Sequence, residues 1–209
     1  MKLVLASNNA KKLSELQALF AGLDLQLVAQ GALGVPEADE PHHSFVENAL
    51  AKARHAAAAS GLPAIADDSG VCVQALGGAP GVNSAHYALT PALTGEREAQ
   101  RRTQDRANNT RLLEHMRGVT DRRAAFVSTL VAVRHAHDAE PLITTGRWQG
   151  VILDAPRGEL GFGYDPLMFI EAIGKTVAEL EAAQKNAVSH RALAAAQMRQ
   201  LLREAWHLD

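Results

Sequence analysis

The chain has 209 residues, of which 47% are hydrophobic and 21% charged, and its formal net charge at pH 7 is −2. These values are typical of a globular protein and provide no bulk attraction to nucleic acid or to an anionic membrane. We therefore expect neither partner. The length predicts one domain over residues 1–209, with room for two lobes around one core.

The N-terminus and the cysteine content indicate the cellular compartment. The first apolar run turns polar at Ser7, which makes it too short for the apolar core of a signal peptide. No apolar run approaches the roughly 20 residues that a membrane span needs. The single cysteine, Cys72, excludes an internal disulfide. These features predict a cytoplasmic protein.

The N-terminal segment contains a first candidate site. Residues 2–6 predict a buried strand, and an amphipathic helix is expected to begin near Ala10 and to stop at Gly22. The free amides and the dipole of a helix N-terminus favour phosphate, and lysines add charge. A pair of solvated lysines is the alternative. The candidate residues are Ser7, Asn8, Asn9, Ala10, Lys11 and Lys12.

A β-α-β unit follows, with a strand at residues 25–29 and a long alanine-rich helix. Ser44 and Glu47 have the spacing of a capping box, and Gly61 is expected to end this helix. Lys52 shares a helix face with Asn48, because the two residues are four positions apart. Lys52 is therefore a candidate phosphate ligand, or else a solvated lysine.

Two adjacent carboxylates are the strongest chemical signal in the chain. The apolar run at residues 64–66 predicts a buried strand, and Asp67 and Asp68 are expected at its end, before Ser69 and a glycine-rich loop. Carboxylates in this position could hold Mg²⁺, or one could hold the metal while the other polarises water. A solvated acidic turn is the alternative.

The second half of the chain predicts a helical, peripheral region, a hairpin and a loop with aromatic residues. Residues 90–123 are polar and are expected to be helical and peripheral, whereas residues 124–135 and 142–153 predict paired strands. The loop at 158–169 combines aromatic rings with a carboxylate, which could stack on a base and accept from its ring N–H groups. Packing of this loop onto the core is the alternative. Its candidate residues are Phe162, Gly163, Tyr164 and Asp165.

The last helix is expected to bury Leu193, Met198, Leu201 and Leu202 and to begin after Ser189 as its N-cap. That position places His190 and Arg191 on the first turn, at another helix N-terminus.

These stretches, in this order, resemble the inosine triphosphate pyrophosphatase family over nearly the whole chain. The matching segments are Ser7 to Lys12, Glu40 with Phe45 to Ala49, Ala66 to Gly70, Gly77 to Gly81, Gly161 to Pro166, and Lys185 with Ser189 to Arg191. The resemblance implies an α/β fold with a long, bent mixed β-sheet flanked by helices, and two lobes around a nucleotide cleft. It also implies a homodimer.

The activity implied by the resemblance is Mg²⁺-dependent hydrolysis of deaminated purine nucleoside triphosphates, namely dITP, ITP and XTP, to the monophosphate and pyrophosphate. Asp68 is then expected as the catalytic base and metal ligand, with Glu40 and Asp67 as further metal residues. Charge complementarity would use Lys12, Lys52, Lys185 and Arg191 for the triphosphate, and Ser69 would lie beside it. Phe162 and Tyr164 would stack on the purine, Asp165 would accept from its ring nitrogen, and His190 would donate to O6.

One residue departs from the family pattern. His86 stands where the family commonly has arginine, and a histidine is smaller and is not an equivalent permanent cation. Two other readings remain open at this point. One is a Maf-like triphosphate hydrolase on a similar fold, and the other is a nucleotide-binding regulator that has lost hydrolysis.

Overall fold

A mixed seven-stranded β-sheet, with strand order β2-β1-β3-β4-β5-β6-β7, organises the chain. The structure is a computed structural model and describes residues 1–90 and 95–208. The strands are β1 (Lys2–Leu5), β2 (Gln26–Ala29), β3 (Ala64–Val73), β4 (Arg123–Val133), β5 (Leu142–Ile152), β6 (Met168–Ile170) and β7 (Lys175–Thr176). The α-helices described are α1 (Ala10–Leu19), α2 (Phe45–Ser60), α3 (Arg97–His115), α4 (Ala182–Val188) and α5 (His190–Trp206).

Strand β1 pairs in parallel with β2 and with β3, whereas β6 pairs antiparallel with β5 and β7. This arrangement confirms the predicted α/β class and the mixed sheet flanked by helices. The chain divides into two compact units. The first unit comprises residues 1–68, 128–147 and 188–209, and the second comprises residues 69–127 and 148–187.

The core of the first unit follows the alternation of side chains along its strands. In β1, Leu3 and Leu5 belong to an apolar cluster with residues of α1 and α5, whereas Val4 belongs to a cluster with the alanine face of α2. Successive strand residues point to opposite faces of a sheet, so both faces of β1 are covered by helices. The alanine face of α2 is buried, as the sequence predicted, at Ala49, Ala53, Ala56 and Ala57.

The helix termini of the first unit follow the predicted caps with one difference. Ser189 caps α5, and Gly61 adopts the left-handed conformation at the end of α2, as predicted. Asn9 caps α1, for which no cap was predicted. At the start of α2, the Ser44 hydroxyl accepts from the Glu47 amide at 3.4 Å. The Glu47 carboxylate accepts from that hydroxyl at 2.5 Å, rather than from the Ser44 amide as the capping box predicted.

Three expectations about buried elements were wrong. The strand does not end at Asp67 and Asp68 as expected, since β3 continues through them to Val73. Helix α3 is not peripheral, since Leu112 on it is fully buried in the core of the second unit. Leu193 is 42% exposed, because Ala194 and Ala195 fill the sheet-facing side of α5 together with Met198 and Leu202. Residues 91–94, within the predicted helical stretch 90–123, lie outside the described residues.

Candidate active site

Asp67 and Asp68 point to opposite faces of β3, and this alternation determines the chemistry of the first unit. Ile65 belongs to the cluster of α1 and α5, whereas Ala64 and Ala66 belong to the cluster of α2. Continuing the alternation places Asp67 on the side of α1 and α5, and Asp68 on the side of α2. Both carboxylates are buried, at 1% and 5% exposure, so the alternative of a solvated acidic turn is wrong.

Asp67 lies at the centre of a buried ion network. Its Oδ2 atom is 2.9 Å from Arg191 Nη2 and 3.1 Å from Lys12 Nζ, and its Oδ1 atom accepts from Ser128 Oγ at 2.8 Å. Arg191 also pairs with Glu15 on α1. Burial opposes ionisation of Asp67, but Arg191 and Lys12 outweigh it and hold the pKa of this carboxyl well below its usual range. Asp67 is therefore a permanent anion that neutralises the buried Arg191 and the half-buried Lys12.

Asp68 lies in a second, less balanced group with Lys52 and Glu40. Lys52 Nζ is 2.8 Å from Asp68 Oδ1 and 2.8 Å from Glu40 Oε2. Burial raises the pKa of Asp68 to about 6, against the opposing effect of Lys52 and with a further increase from Glu40. Two carboxylates share one cation here, so this group has an excess negative charge once Asp68 ionises.

The second oxygen of Asp68 is an open ligand position in this group. Within residues 1–90 and 95–208, the buried Oδ2 atom of Asp68 has no hydrogen-bond partner. A buried carboxylate oxygen without a partner is costly, which indicates that a ligand completes it.

Asn48 fixes the chain just after Glu40, because its side chain accepts from the His42 amide at 3.0 Å and donates to the His42 carbonyl at 3.2 Å.

The two lysines converge on one backbone oxygen. Lys12 Nζ and Lys52 Nζ each donate to the Asp67 carbonyl at 3.3 Å. Lys52 is 8% exposed, and its pKa is raised because Asp68 and Glu40 outweigh the effect of burial. Burial lowers the pKa of Lys12, which Asp67 only partly offsets. Lys12 and Lys52 are therefore fixed by ion pairs and hydrogen bonds, and are not the solvated lysines of the alternative interpretation.

The turn before α1 is held by hydrogen bonds from its own side chains to backbone amides. Asn9 Oδ1 accepts from the amides of Lys11 and Lys12 at 3.0 and 3.3 Å, so these two amides are not the free donors that the sequence predicted. Ser7 Oγ accepts from the Asn9 amide at 3.1 Å. Asn8 accepts from the Gly31 amide at 2.8 Å, and Ala10 is exposed at the start of the helix. Lysine side chains, rather than these two amides, are the donors available to an anion here.

Close packing of α5 on β5 sets the position of Arg191. A Cβ atom at Gly146 would collide with the backbone of His190 and Ala194, so only glycine permits this approach. Thr144 Oγ1 also donates to the Ala194 carbonyl at 2.9 Å. His190 and Arg191 are 5% and 1% exposed. The predicted helix start is confirmed, but Arg191 is engaged with Asp67 and Glu15.

The second unit contains a separate group built on the loop before β6. Asp165 Oδ2 is 2.9 Å from Lys185 Nζ and accepts from the Phe162 amide at 2.9 Å. Lys185 Nζ lies 4.6 Å from the centre of the Phe162 ring, a cation–π distance. Tyr164 is 5% exposed and its hydroxyl donates to the Ser84 carbonyl at 2.9 Å, so its ring belongs to the core. Ser69 is half-buried within β3.

Sequence reasoning missed Glu15 and Ser128, which complete the Asp67 network. Glu15 is three residues after Lys12, a spacing that places both on one face of α1. Ser128, Leu130 and Ala132 are two residues apart along β4, so their side chains point to the same face of the sheet. Leu130 and Ala132 belong to the cluster of α1 and α5. Each signal was present in the sequence, but neither is distinctive without the knowledge that β4 lies beside β3.

In the described part of the chain, no three His, Cys, Asp or Glu residues are grouped so that they could hold a metal ion. Over the same residues, no helix is long and apolar enough to cross a membrane. Two carboxylates with one lysine are therefore the strongest candidate for a metal site, and further ligands would have to come from water or from a substrate.

The fold and these two groups define an α/β protein with a carboxylate–lysine centre in one unit and an aromatic–carboxylate–lysine group in the other. The model of the Ham1 family matches residues 3–201, and the chain belongs to this family. The resemblance seen in the sequence is thereby confirmed.

Relatives and solved structures agree over nearly the whole chain. The chain is 67% identical to the dITP/XTP pyrophosphatase of Methylibium petroleiphilum, over 99% of each chain. It is 65% identical to the protein of the same name from Leptothrix cholodnii, over 100% of each. The structure matches a HAM1 protein from Coxiella burnetii with a TM-score of 0.87 and 40% identity, over 98% of this chain and 100% of that one.

Proposed function

We propose that this protein hydrolyses deaminated purine nucleoside triphosphates (dITP, ITP and XTP) to the monophosphate and pyrophosphate, and so removes them from the nucleotide pool. Membership of the Ham1 family and the dITP/XTP pyrophosphatase relatives support this activity. The observation that carries the proposal is the buried Asp68 carboxylate, which shares Lys52 with Glu40 and has one oxygen without a hydrogen-bond partner among the described residues.

Glu40 and Asp68 fit Mg²⁺. Hard carboxylate oxygens suit this ion, which is commonly held by one or two carboxylates together with substrate phosphates and water. The open Oδ2 atom of Asp68 and the excess negative charge beside Lys52 supply what such a ligand needs. When bound, Mg²⁺ would neutralise phosphate charge and polarise the oxygens it contacts. Asp67 was expected as a third metal residue, but its contacts favour a role in holding Arg191 and Lys12.

The residues of the first unit have distinct roles in this proposal. Lys12 and Lys52 bind the triphosphate, because both ammonium groups are held at the Asp67 carbonyl beside the carboxylates. Asp68 accepts the proton of the attacking water. In the metal-free site burial raises the pKa of Asp68 to about 6, so the carboxyl is ionised near neutral pH, as a proton acceptor must be. Ser7, Asn8, Asn9, Ala10 and Lys11 shape the turn around Lys12.

The second unit recognises the base in this proposal. The half-buried Phe162 ring supplies a stacking face, and Asp165 holds Lys185 beside that ring. Lys185 is a donor only, so it can donate to a 6-oxo group, whereas a 6-amino group would place a second donor against it, which is a costly mismatch. We assign Lys185 as the candidate donor to O6 from this unit, and His190, in the first unit, remains the donor that the family resemblance implies. Asp165 fixes Lys185 and the Phe162 amide, and any contact with a ring nitrogen would add to these bonds.

We further infer a homodimer in the cytoplasm. The homodimer follows from the family resemblance, and the single cysteine fits a reducing compartment. Light scattering of the purified protein at several concentrations tests the dimer. A monomer at all concentrations would contradict it.

The test of the function is release of pyrophosphate from dITP and XTP, beside dATP, dGTP and dTTP, with Mg²⁺ present. We expect turnover of the deaminated purines above the others, and release of pyrophosphate rather than phosphate. Asp68→Asn should abolish turnover, whereas the exposed Asp39→Asn, the matched control, should not change it. Equal turnover of all triphosphates would overturn the base roles, and tight nucleotide binding without hydrolysis would favour a regulator.

A further inference from the structure

Helix α3 holds the loop that carries Phe162 through both peptide groups of one glycine. The Gly163 amide donates to Asp105 Oδ2 at 2.9 Å, and Asn109 Nδ2 donates to the Gly163 carbonyl at 3.0 Å. Asp105 and Asn109 are four residues apart and therefore lie on one face of α3. All of these residues belong to the second unit.

This contact fixes the backbone on both sides of Gly163. The Gly163 amide belongs to the peptide that follows Phe162, and the Gly163 carbonyl belongs to the peptide that precedes Tyr164. Gly163 has a φ of +63°, in the left-handed region that favours glycine, so the turn depends on this residue type. With both peptides held, the direction in which Phe162 leaves the backbone is set from α3.

The same helix holds the neighbouring residue by a second route. Asn108 Nδ2 donates to the Ser84 carbonyl at 3.1 Å, and the Tyr164 hydroxyl donates to that same carbonyl at 2.9 Å. Asn108 is only 2% exposed, and it also accepts from the Ala88 amide at 2.8 Å. Helix α3 thus fixes Gly163 directly and Tyr164 through the carbonyl of Ser84.

We propose that Asp105 and Asn109 are positioning residues that set the purine selectivity of the site by holding Gly163, and hence Phe162 and its partner Lys185. This inference rests on the proposed function. Discrimination between a 6-oxo and a 6-amino group requires donors and a stacking face held to within about 0.5 Å. The polar segment of α3, which has no evident role in the sequence, thereby acquires one.

The first arm of the test measures selectivity. The ratio of kcat/KM for dITP to that for dATP is compared in wild type, Asp105→Ala, Asn109→Ala and Asp105→Asn. We expect each alanine variant to lower this ratio at least about tenfold, the scale of one lost hydrogen bond. Asp105→Asn keeps an acceptor for the Gly163 amide and should stay within about twofold of wild type. The exposed neighbour Arg106→Ala is the matched control and should not change the ratio.

A merely structural role predicts a different result. It would lower kcat/KM for both substrates equally and leave the ratio unchanged, and this outcome would overturn the proposal. An Asp105→Asn variant as unselective as Asp105→Ala would also overturn it, since charge rather than the acceptor would then matter. Should Asp105→Ala fail to fold, Asn109→Ala decides the same point.

The second arm does not depend on catalysis. Hydrogen exchange of the Gly163 amide, followed by NMR, should be at least about tenfold faster in Asp105→Ala than in wild type, because the amide loses its acceptor. Unchanged exchange would overturn the positioning role. A wild-type enzyme without preference for dITP would instead overturn the proposed function, and would be recognised in the first arm before any variant is compared.

Discussion

Arg191 donates from Nε to Asp67 Oδ2 at 3.0 Å, its Nη2 atom lies 2.9 Å from the same oxygen, and both side chains are buried. Lys12 and Ser128 complete the contacts of this carboxylate. A buried ion pair of this kind is weak evidence for net stabilisation, but removal of one partner leaves a buried charge without compensation.

Asp67→Asn should therefore destabilise the protein by about 3–5 kcal/mol. The physical reason is that Arg191 and Lys12 would remain buried with only Glu15 as an opposing carboxylate in the network. Urea unfolding at pH 7.5 measures this change, with Asp39→Asn as the exposed control. A loss no larger than that of the control would show that the network contributes little to stability.

In contrast, Asp68→Asn should stabilise the metal-free protein. The pKa of Asp68 is raised to about 6 in the folded state, so its ionisation favours the unfolded chain as the pH rises from near 4 to above 6. Above pH 6 the variant should be more stable than wild type by about 2 kcal/mol, and the two should converge below pH 4.

Thermal unfolding in EDTA from pH 4 to 8 checks this crossover. A variant less stable than wild type at pH 8 would show that the pair of Asp68 with Lys52 outweighs the cost of burial. A stabilising substitution that abolishes turnover would show that Asp68 is kept for function.

Binding of Mg²⁺ should depend on the same carboxyl. A carboxylate must be deprotonated to hold a metal, so protons compete with Mg²⁺ below pH 6. The apparent affinity for Mg²⁺ should fall about tenfold for each pH unit below that value. Calorimetric titration between pH 4.5 and 8 measures it, and Glu40→Gln should weaken binding at every pH. A flat profile would exclude Asp68 as a ligand.

Lys52→Met should move the pH dependence of Mg²⁺ binding to higher pH. The ammonium of Lys52 opposes the effect of burial on Asp68, so its removal raises the pKa of Asp68 above 6. The midpoint of the Mg²⁺ profile should rise with it, whereas the exposed Arg54→Met on the same helix should leave it in place. An unchanged midpoint would contradict the assigned pairing of Lys52 with Asp68.

Much of the fold could be predicted from the sequence because the local signals were strong. Ser189 and Gly61 are caps whose chemistry is local, and the alanine face of α2 follows a simple helical period. The strand through Asp67 and Asp68 was missed for the opposite reason. Polar and glycine residues are typical of turns, and only the buried lysines and arginine that neutralise these carboxylates allow them inside a sheet.

The site residues were predictable as a set, but their contacts were not. The sequence named Arg191 and Asp165 as substrate residues, whereas the structure engages both in buried ion pairs, with Asp67 and Lys185 respectively. Such pairs join residues that are 124 and 20 positions apart. No local periodicity carries that information, because it depends on which strands and helices lie side by side.

The peptide carbonyl of Asp67 accepts from Lys12 and from Lys52, and it therefore holds both ammonium groups from a position that no side-chain substitution can delete. Variation at residue 67 can remove the charge that balances Arg191, yet the chain still presents the same oxygen to the two lysines. The orientation of the two lysines, which are the proposed phosphate ligands, is thus set by the path of the backbone. Exchange of the acids in this centre would change its charge and its stability, whereas the backbone oxygen that both lysines contact is retained as long as the strand keeps its register.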